Sequence, residues 1–129
     1  MFSLKNTKTK RSCRTRSHVS TNIKDYFGNN YRIKHWVKNG KLHRLNGPAY
    51  IMYYYKTGLI KLEEWYKNGK AHRLNGPAEI WYYETGLIQS EVWYKNDKLH
   101  RLNGPAYISY YKTGLIKVEK WYKHGNRTK

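Results

Sequence analysis

Cysteine is nearly missing from this chain of 129 residues: Cys13 stands alone, so no internal disulfide can form and a reducing compartment is expected. Acids are also scarce, with 8 Asp/Glu against 26 Lys/Arg and a formal charge of +18. That balance favours polyanionic partners: nucleic acid, anionic lipid or an acidic protein. Phe occurs only twice, so the large apolar surface comes from 14 Tyr and 5 Trp. Such aromatic residues suit strands. No apolar run approaches the roughly 20 residues that span a bilayer. No stretch of signal-peptide type opens the sequence, and an intracellular location is expected. Proline is confined to Pro48, Pro77 and Pro105, each at the same place in a repeated block.

That block is His43-Arg44-Leu45-Asn46-Gly47-Pro48-Ala49, written again from His72 to Ala78 and from His100 to Ala106. A unit of 28 or 29 residues recurs around it, marked by Trp36, Trp65, Trp93 and Trp121. A fixed period of this size signals stacked supersecondary units rather than one globular core. It also weakens an enzyme reading, because a catalytic site is asymmetric and this surface repeats.

Each unit reads as two strands. Leu59–Lys67 alternates, with Ile60, Leu62 and Tyr66 expected on one face and Lys61, Glu63, Trp65 and Lys67 on the other. Asn68-Gly69 follows, matched by Asn39-Gly40, Asn96-Asp97 and His124-Gly125. Asn-Gly between alternating runs signals a type I′ hairpin with positive φ at both central residues. Counting outward opposes Lys38 to Lys41, Val37 to Leu42 and Trp36 to His43, with Trp65–His72 and Trp93–His100 as the equivalent cross-strand pairs. Gly47-Pro48, Gly76-Pro77 and Gly104-Pro105 are expected to kink the returning strand, with glycine supplying a backbone conformation closed to other residues. One extra residue between Pro48 and Thr57 predicts a further bulge in Tyr53–Tyr55. The expected fold is all-β: a curled antiparallel meander of about 7–8 strands, each unit one β-hairpin repeat. Residues 1–20 hold no acid and form an expected disordered basic arm. The repeat domain takes 21–129, with a degenerate first unit over 21–47 and repeats at about 48–76, 77–104 and 105–125.

The pattern Trp-Tyr-Lys-Asn-Gly-Lys-x-His-Arg-x-Asn-Gly-Pro-Ala resembles MORN-type repeats, in the variant found in large DNA viruses of amoebae such as the marseilleviruses. The resemblance spans about residues 29–125. It implies a β-hairpin array in a viral, non-catalytic protein, located in the host cell or the virion. Ordinary MORN arrays are associated with scaffolding, dimerisation and proposed lipid-headgroup binding. Here the period is longer, and Asn-Gly-Pro-Ala replaces the usual Gly-x-Gly.

Candidate contacts follow from the charges. Lys5, Lys8, Lys10, Arg11, Arg14 and Arg16 in the arm, with Arg44, Arg73 and Arg101 in the blocks, are the polyanion-binding candidates. The alternative for the block arginines is structural: packing on an aromatic ring or pairing with a glutamate, Arg73 facing Glu64. His43, His72 and His100 are read as packed on tryptophan, the alternative being a ladder that touches a polyanion. They cannot share a metal, because successive units are offset by roughly 9–10 Å and zinc needs ligands at about 2 Å. No cofactor or small-molecule substrate is expected. Glu63, Glu91 and Glu119 recur in like environments, which suits cross-strand ion pairing better than acid–base chemistry. Cys13 lies among arginines with no local histidine in a structured segment, so it is assigned no catalytic role. The expected task is a non-enzymatic binding module for DNA or RNA. The alternatives are an assembly protein dimerising through its apolar face or binding an acidic protein, and an anionic-membrane adaptor.

Overall fold

The computed structural model describes residues 20–26, by their backbone, and 31–129. The expectations for the arm and for Cys13 fall outside the described residues. Every described element is a strand. The first unit holds β1 (Ser20–Tyr26), β2 (Tyr31–Lys38) and β3 (Lys41–Leu42). The second holds β4 (Tyr50–Tyr54), β5 (Ile60–Glu64), β6 (Tyr66–Lys67) and β7 (Lys70–Ala71). The third holds β8 (Glu79–Tyr82), β9 (Ile88–Val92), β10 (Tyr94–Lys95) and β11 (Lys98–Leu99). The last holds β12 (Tyr107–Tyr110), β13 (Ile116–Lys120), β14 (Tyr122–Lys123) and β15 (Asn126–Arg127).

One antiparallel sheet runs β1-β2-β4-β5-β8-β9-β12-β13, with no closure into a barrel. The short pairs β2–β3, β6–β7, β10–β11 and β14–β15 form hairpin tips. Their turns have the predicted conformation, with φ of 51° and 72° at Asn39-Gly40 and 50° and 77° at Asn68-Gly69. Asn96-Asp97 and His124-Gly125 adopt it too. Val37 opposes Leu42 and Lys38 opposes Lys41, as the turn requires.

The long strand expected over 59–67 is cut at Trp65: β5 ends at Glu64 and β6 resumes at Tyr66. The physical reason is a change of partners. Up to Glu64 the strand pairs with β8 in the sheet. Beyond Trp65 the tips bond to one another, Gly69 N donating to Leu42 O at 2.8 Å and Arg44 N to Tyr66 O at 3.2 Å. Asp97 N to Ala71 O (3.0 Å) and Gly125 N to Leu99 O (2.9 Å) continue the seam.

A bulge lies where the alternation looked unbroken. Met52 opposes Leu62, but Tyr53 opposes Ile60, so Lys61 is the unpaired residue. Gln89 and Lys117 are skipped in the same way. The bulge moves Ile60 off the Leu62 face, which corrects the predicted facing. The second, third and last units share this bulge, so the extra residue of the second unit lies elsewhere. Gly58 N donates to Tyr54 O, spanning four residues, whereas Gly86 N to Tyr83 O and Gly114 N to Tyr111 O span three. The insertion widens the loop at Tyr55–Gly58 and leaves the strand register untouched.

Opposed residues share a face. One row across the sheet reads Ile51, Glu63, Ile80, Glu91, Ile108, Glu119. Beside it lie Ala49, Ala78 and Ala106, with Ile51, Ile80 and Ile108 buried to the same extent in each unit. Leu62 and Val92 are buried on the opposite face. No large side chain among the described residues is fully buried. The core is therefore a strip repeated unit by unit, in which each unit leans on its neighbours. No helix among the described residues is long and apolar enough to cross a membrane.

Deleting Lys56 converts the wide loop into the three-residue form of the other units. Because the strand register is independent of that loop, the deletion costs about 1 kcal/mol or less in a urea melt. A cooperative loss of the fold would place the extra residue in the strand instead.

Candidate binding face

The face is organised by tryptophan. Arg44 Cζ lies 3.8 Å above the Trp36 ring, Arg73 Cζ 4.0 Å above Trp65 and Arg101 Cζ 3.9 Å above Trp93. Each Nη1 donates to a proline carbonyl: to Pro48 O at 3.2 Å, Pro77 O at 3.0 Å and Pro105 O at 3.1 Å. The other side of each guanidinium rests on glycine backbone. A Cβ added to Gly47, Gly76 or Gly104 would sit 2.9, 2.9 or 3.0 Å from the arginine Cζ. None of these glycines has positive φ. The expected reason for Gly47, Gly76 and Gly104 is thus corrected: glycine is needed for space, where the Gly-Pro segment closes over arginine in the break between strands.

The Trp–His pairs need a matching correction. His43 opposes Trp36 through its backbone, N donating to Trp36 O at 3.0 Å, and His72–Trp65 and His100–Trp93 do the same. The cation that covers each tryptophan ring belongs to the next residue, arginine. The imidazoles fasten the following tip instead. Nδ1 of His43 accepts from Asn68 N at 3.0 Å, His72 from Asn96 N at 3.3 Å and His100 from His124 N at 3.1 Å. An accepting Nδ1 keeps its lone pair, so the ring proton sits on Nε2. The His100 ring lies 4.4 Å from that of His124. Burial first, then His124, Lys95 and Lys123, holds His100 below the usual histidine value. In the last unit Lys129 takes the arginine place, its Nζ 5.3 Å from the Trp121 ring.

The carboxylates accept from tyrosine where ion pairs were expected. Tyr82 OH donates to Glu63 Oε2 and Tyr110 OH to Glu91 Oε2, both at 2.7 Å. Burial, followed by the bond to Glu91, pushes the Tyr110 hydroxyl up to about 12. Glu64 does not engage Arg73. It sits directly opposite Glu79, a pairing other units lack, and burial followed by Glu79 raises its pKa. No cluster of three His, Cys, Asp or Glu suited to a metal ion occurs among the described residues.

The block arginines are committed to tryptophan and proline, whereas the tips carry exposed cations that face one another in pairs. Lys38 opposes Lys41, Lys67 opposes Lys70 and Lys95 opposes Lys98, all exposed. The tips are close together: a Cβ on Gly69 would meet the Lys41 stem at 3.3 Å. In the third tip Asp97 replaces that glycine, and its Oδ1 accepts from Ala71 N at 2.6 Å. Between successive blocks run two matching grooves of about 500 and 460 Å³. The first lies between Leu45-Asn46 and Leu74-Asn75 over Trp65-Tyr66-Lys67. The second lies between Leu74-Asn75 and Leu102-Asn103 over Trp93-Tyr94-Lys95. Sequence reasoning opposed Lys38 to Lys41 but named only the arginines of the blocks as contacts within the repeats. The available signal was the hairpin register, which opposes like charges.

No protein-family model matches the chain, and no curated protein or solved structure matches it at a significant level.

Two expectations follow from the geometry. Gly76→Ala forces Arg73 off Trp65 and costs about 1–2 kcal/mol, in keeping with the range for a stacked cation. In an Arg73→Ala background the same change costs less, with a coupling of at least about 0.5 kcal/mol by chemical denaturation. Strict additivity would separate the glycine from the arginine. The second concerns acid. A depressed histidine pKa gives stability that is complete above the unfolded value of about 6.5 and is lost as pH falls through it. His100→Leu should therefore flatten the decline in melting temperature between about pH 7.5 and pH 5. An unchanged slope would show that His100 is not the titrating group.

Proposed function

We propose that this chain is a non-enzymatic binding module that holds a polyanion, DNA or RNA, along its stacked lysine tips. The observation that carries this reading is the Lys38/Lys41, Lys67/Lys70 and Lys95/Lys98 series. Like charges directly opposite one another destabilise a hairpin. Here the arrangement recurs in three successive tips, on a seam held by backbone hydrogen bonds. A row of cations one strand apart, about 4.8 Å, suits a densely charged polymer better than a small anion. Association would release condensed counterions and relieve the repulsion among the lysines, contacting phosphates without reading sequence. The basic residues before Ser20 add charge of the same sign. The likeness of the units to MORN-type hairpins of giant amoeba viruses supports a scaffold of this kind.

The test is the salt dependence of binding to a single-stranded and a double-stranded oligonucleotide. Affinity should fall steeply between about 50 and 300 mM salt. In Lys67→Gln/Lys70→Gln the slope of log affinity against log salt should shrink by about 1.5–2. Binding that is absent at low salt, or indifferent to it, would overturn the proposal.

A further inference from the structure

We propose that the stepped surface formed by Leu45, Leu74 and Leu102, with the grooves between them, docks an acidic, proline-rich polypeptide in the polyproline II conformation. The three leucines are 76, 77 and 72% exposed. A single exposed leucine is ordinary, but these occupy the same place in three successive blocks. At that exposure they add little to packing, so the fold itself gives no reason for an apolar side chain there. The adjoining Asn46, Asn75 and Asn103 are exposed, and their amides bond nothing among the described residues.

The step between units selects the occupant. Successive blocks are two strands apart, about 9.4–9.8 Å. A polyproline II helix turns once every three residues at 3.1 Å each, about 9.3 Å. One face of such a chain therefore meets each leucine in turn. A β-strand returns a side chain to one face every ~6.7 Å and is out of step at the next unit. A polynucleotide carries no apolar group recurring at this distance.

The chemistry of the grooves agrees. Leucine walls and a Trp–Tyr floor suit proline rings, the composition that recurs in polyproline recognition. The polyproline II backbone makes no internal hydrogen bonds, which leaves its carbonyls for the asparagine amides. Arg44, Lys67 and Arg73 border the first groove, and Lys95 and Arg101 the second, so the residues between prolines are acidic. This surface adjoins the lysine pairs and shares Lys67 and Lys95 with them.

The probe is a labelled peptide of about six Pro-Pro-Glu triplets, titrated into the full chain by fluorescence anisotropy. A shuffled peptide of the same composition, without the three-residue period, is the control, and an oligonucleotide is titrated in parallel. The triplet peptide should bind more tightly than the shuffled one. Leu74→Ser should weaken it by about tenfold, one decade of affinity, and leave the oligonucleotide unaffected. Leu45→Ser should act in the same direction, and melting curves verify that both variants are folded. Equal binding of the two peptides would overturn the proposal. So would full affinity in Leu74→Ser, or a Leu74→Ser defect confined to the oligonucleotide. The lysine tips have a separate test, the salt slope of Lys67→Gln/Lys70→Gln, so failure of the two readings is told apart.

Discussion

A guanidinium held between an indole ring and a glycine backbone organises each unit of this protein. The arginine satisfies three demands at once: it covers tryptophan, hydrogen-bonds the carbonyl of proline and fills the space that glycine leaves open. The loop that results folds back so that the alanine after proline re-enters the sheet. There Ala78 N donates to Val92 O and Trp65 N to Ala78 O. Alanine is the residue that fits, because this position is sealed, at 0–1% exposure in all three units. Tryptophan, arginine, glycine, proline and alanine are thus one mechanical part. The remaining residues of the block, histidine, leucine and asparagine, are left for other work.

Propagation depends on contacts between units rather than within them. Histidine Nδ1 receives the backbone N–H of the following turn, and Tyr82 and Tyr110 reach back to glutamates of the preceding unit. Tyr54 and Tyr83 reach forward to the carbonyls of Tyr82 and Tyr110. Neighbour terms of this kind dominate the stability of linear arrays. The polar bonds matter because the apolar strip is thin. Three alanines and a few aliphatic residues cannot stabilise a sheet of this width without them.

Much of the fold is legible in the residues. Asn-Gly and its variants state the turn, the turn states the register, and the period states the stacking. The bulge at Lys61 is not legible, because Ile60, Leu62 and their neighbours alternate without a break. The cut at Trp65 is hidden for a similar reason: local alternation does not say when a strand exchanges one neighbour for another. At the candidate face, the tryptophan and arginine stand out, but their pairing needs the third dimension. One clue was present. Arg and Gly keep a fixed spacing of three in every block, and a glycine without a turn to make implies something pressed against it. The lysine pairs were implicit in the register that opposes Lys38 to Lys41.

The histidine seam has a direction. Each tip turn after the first donates its N–H to an imidazole that comes earlier in the chain, about 25 residues before it. During synthesis on the ribosome, the acceptor is therefore already available when the donor emerges. Every new unit meets a finished template and needs no residue still to be made for that bond. Along this seam, growth from the first unit toward the last always finds its acceptor in place.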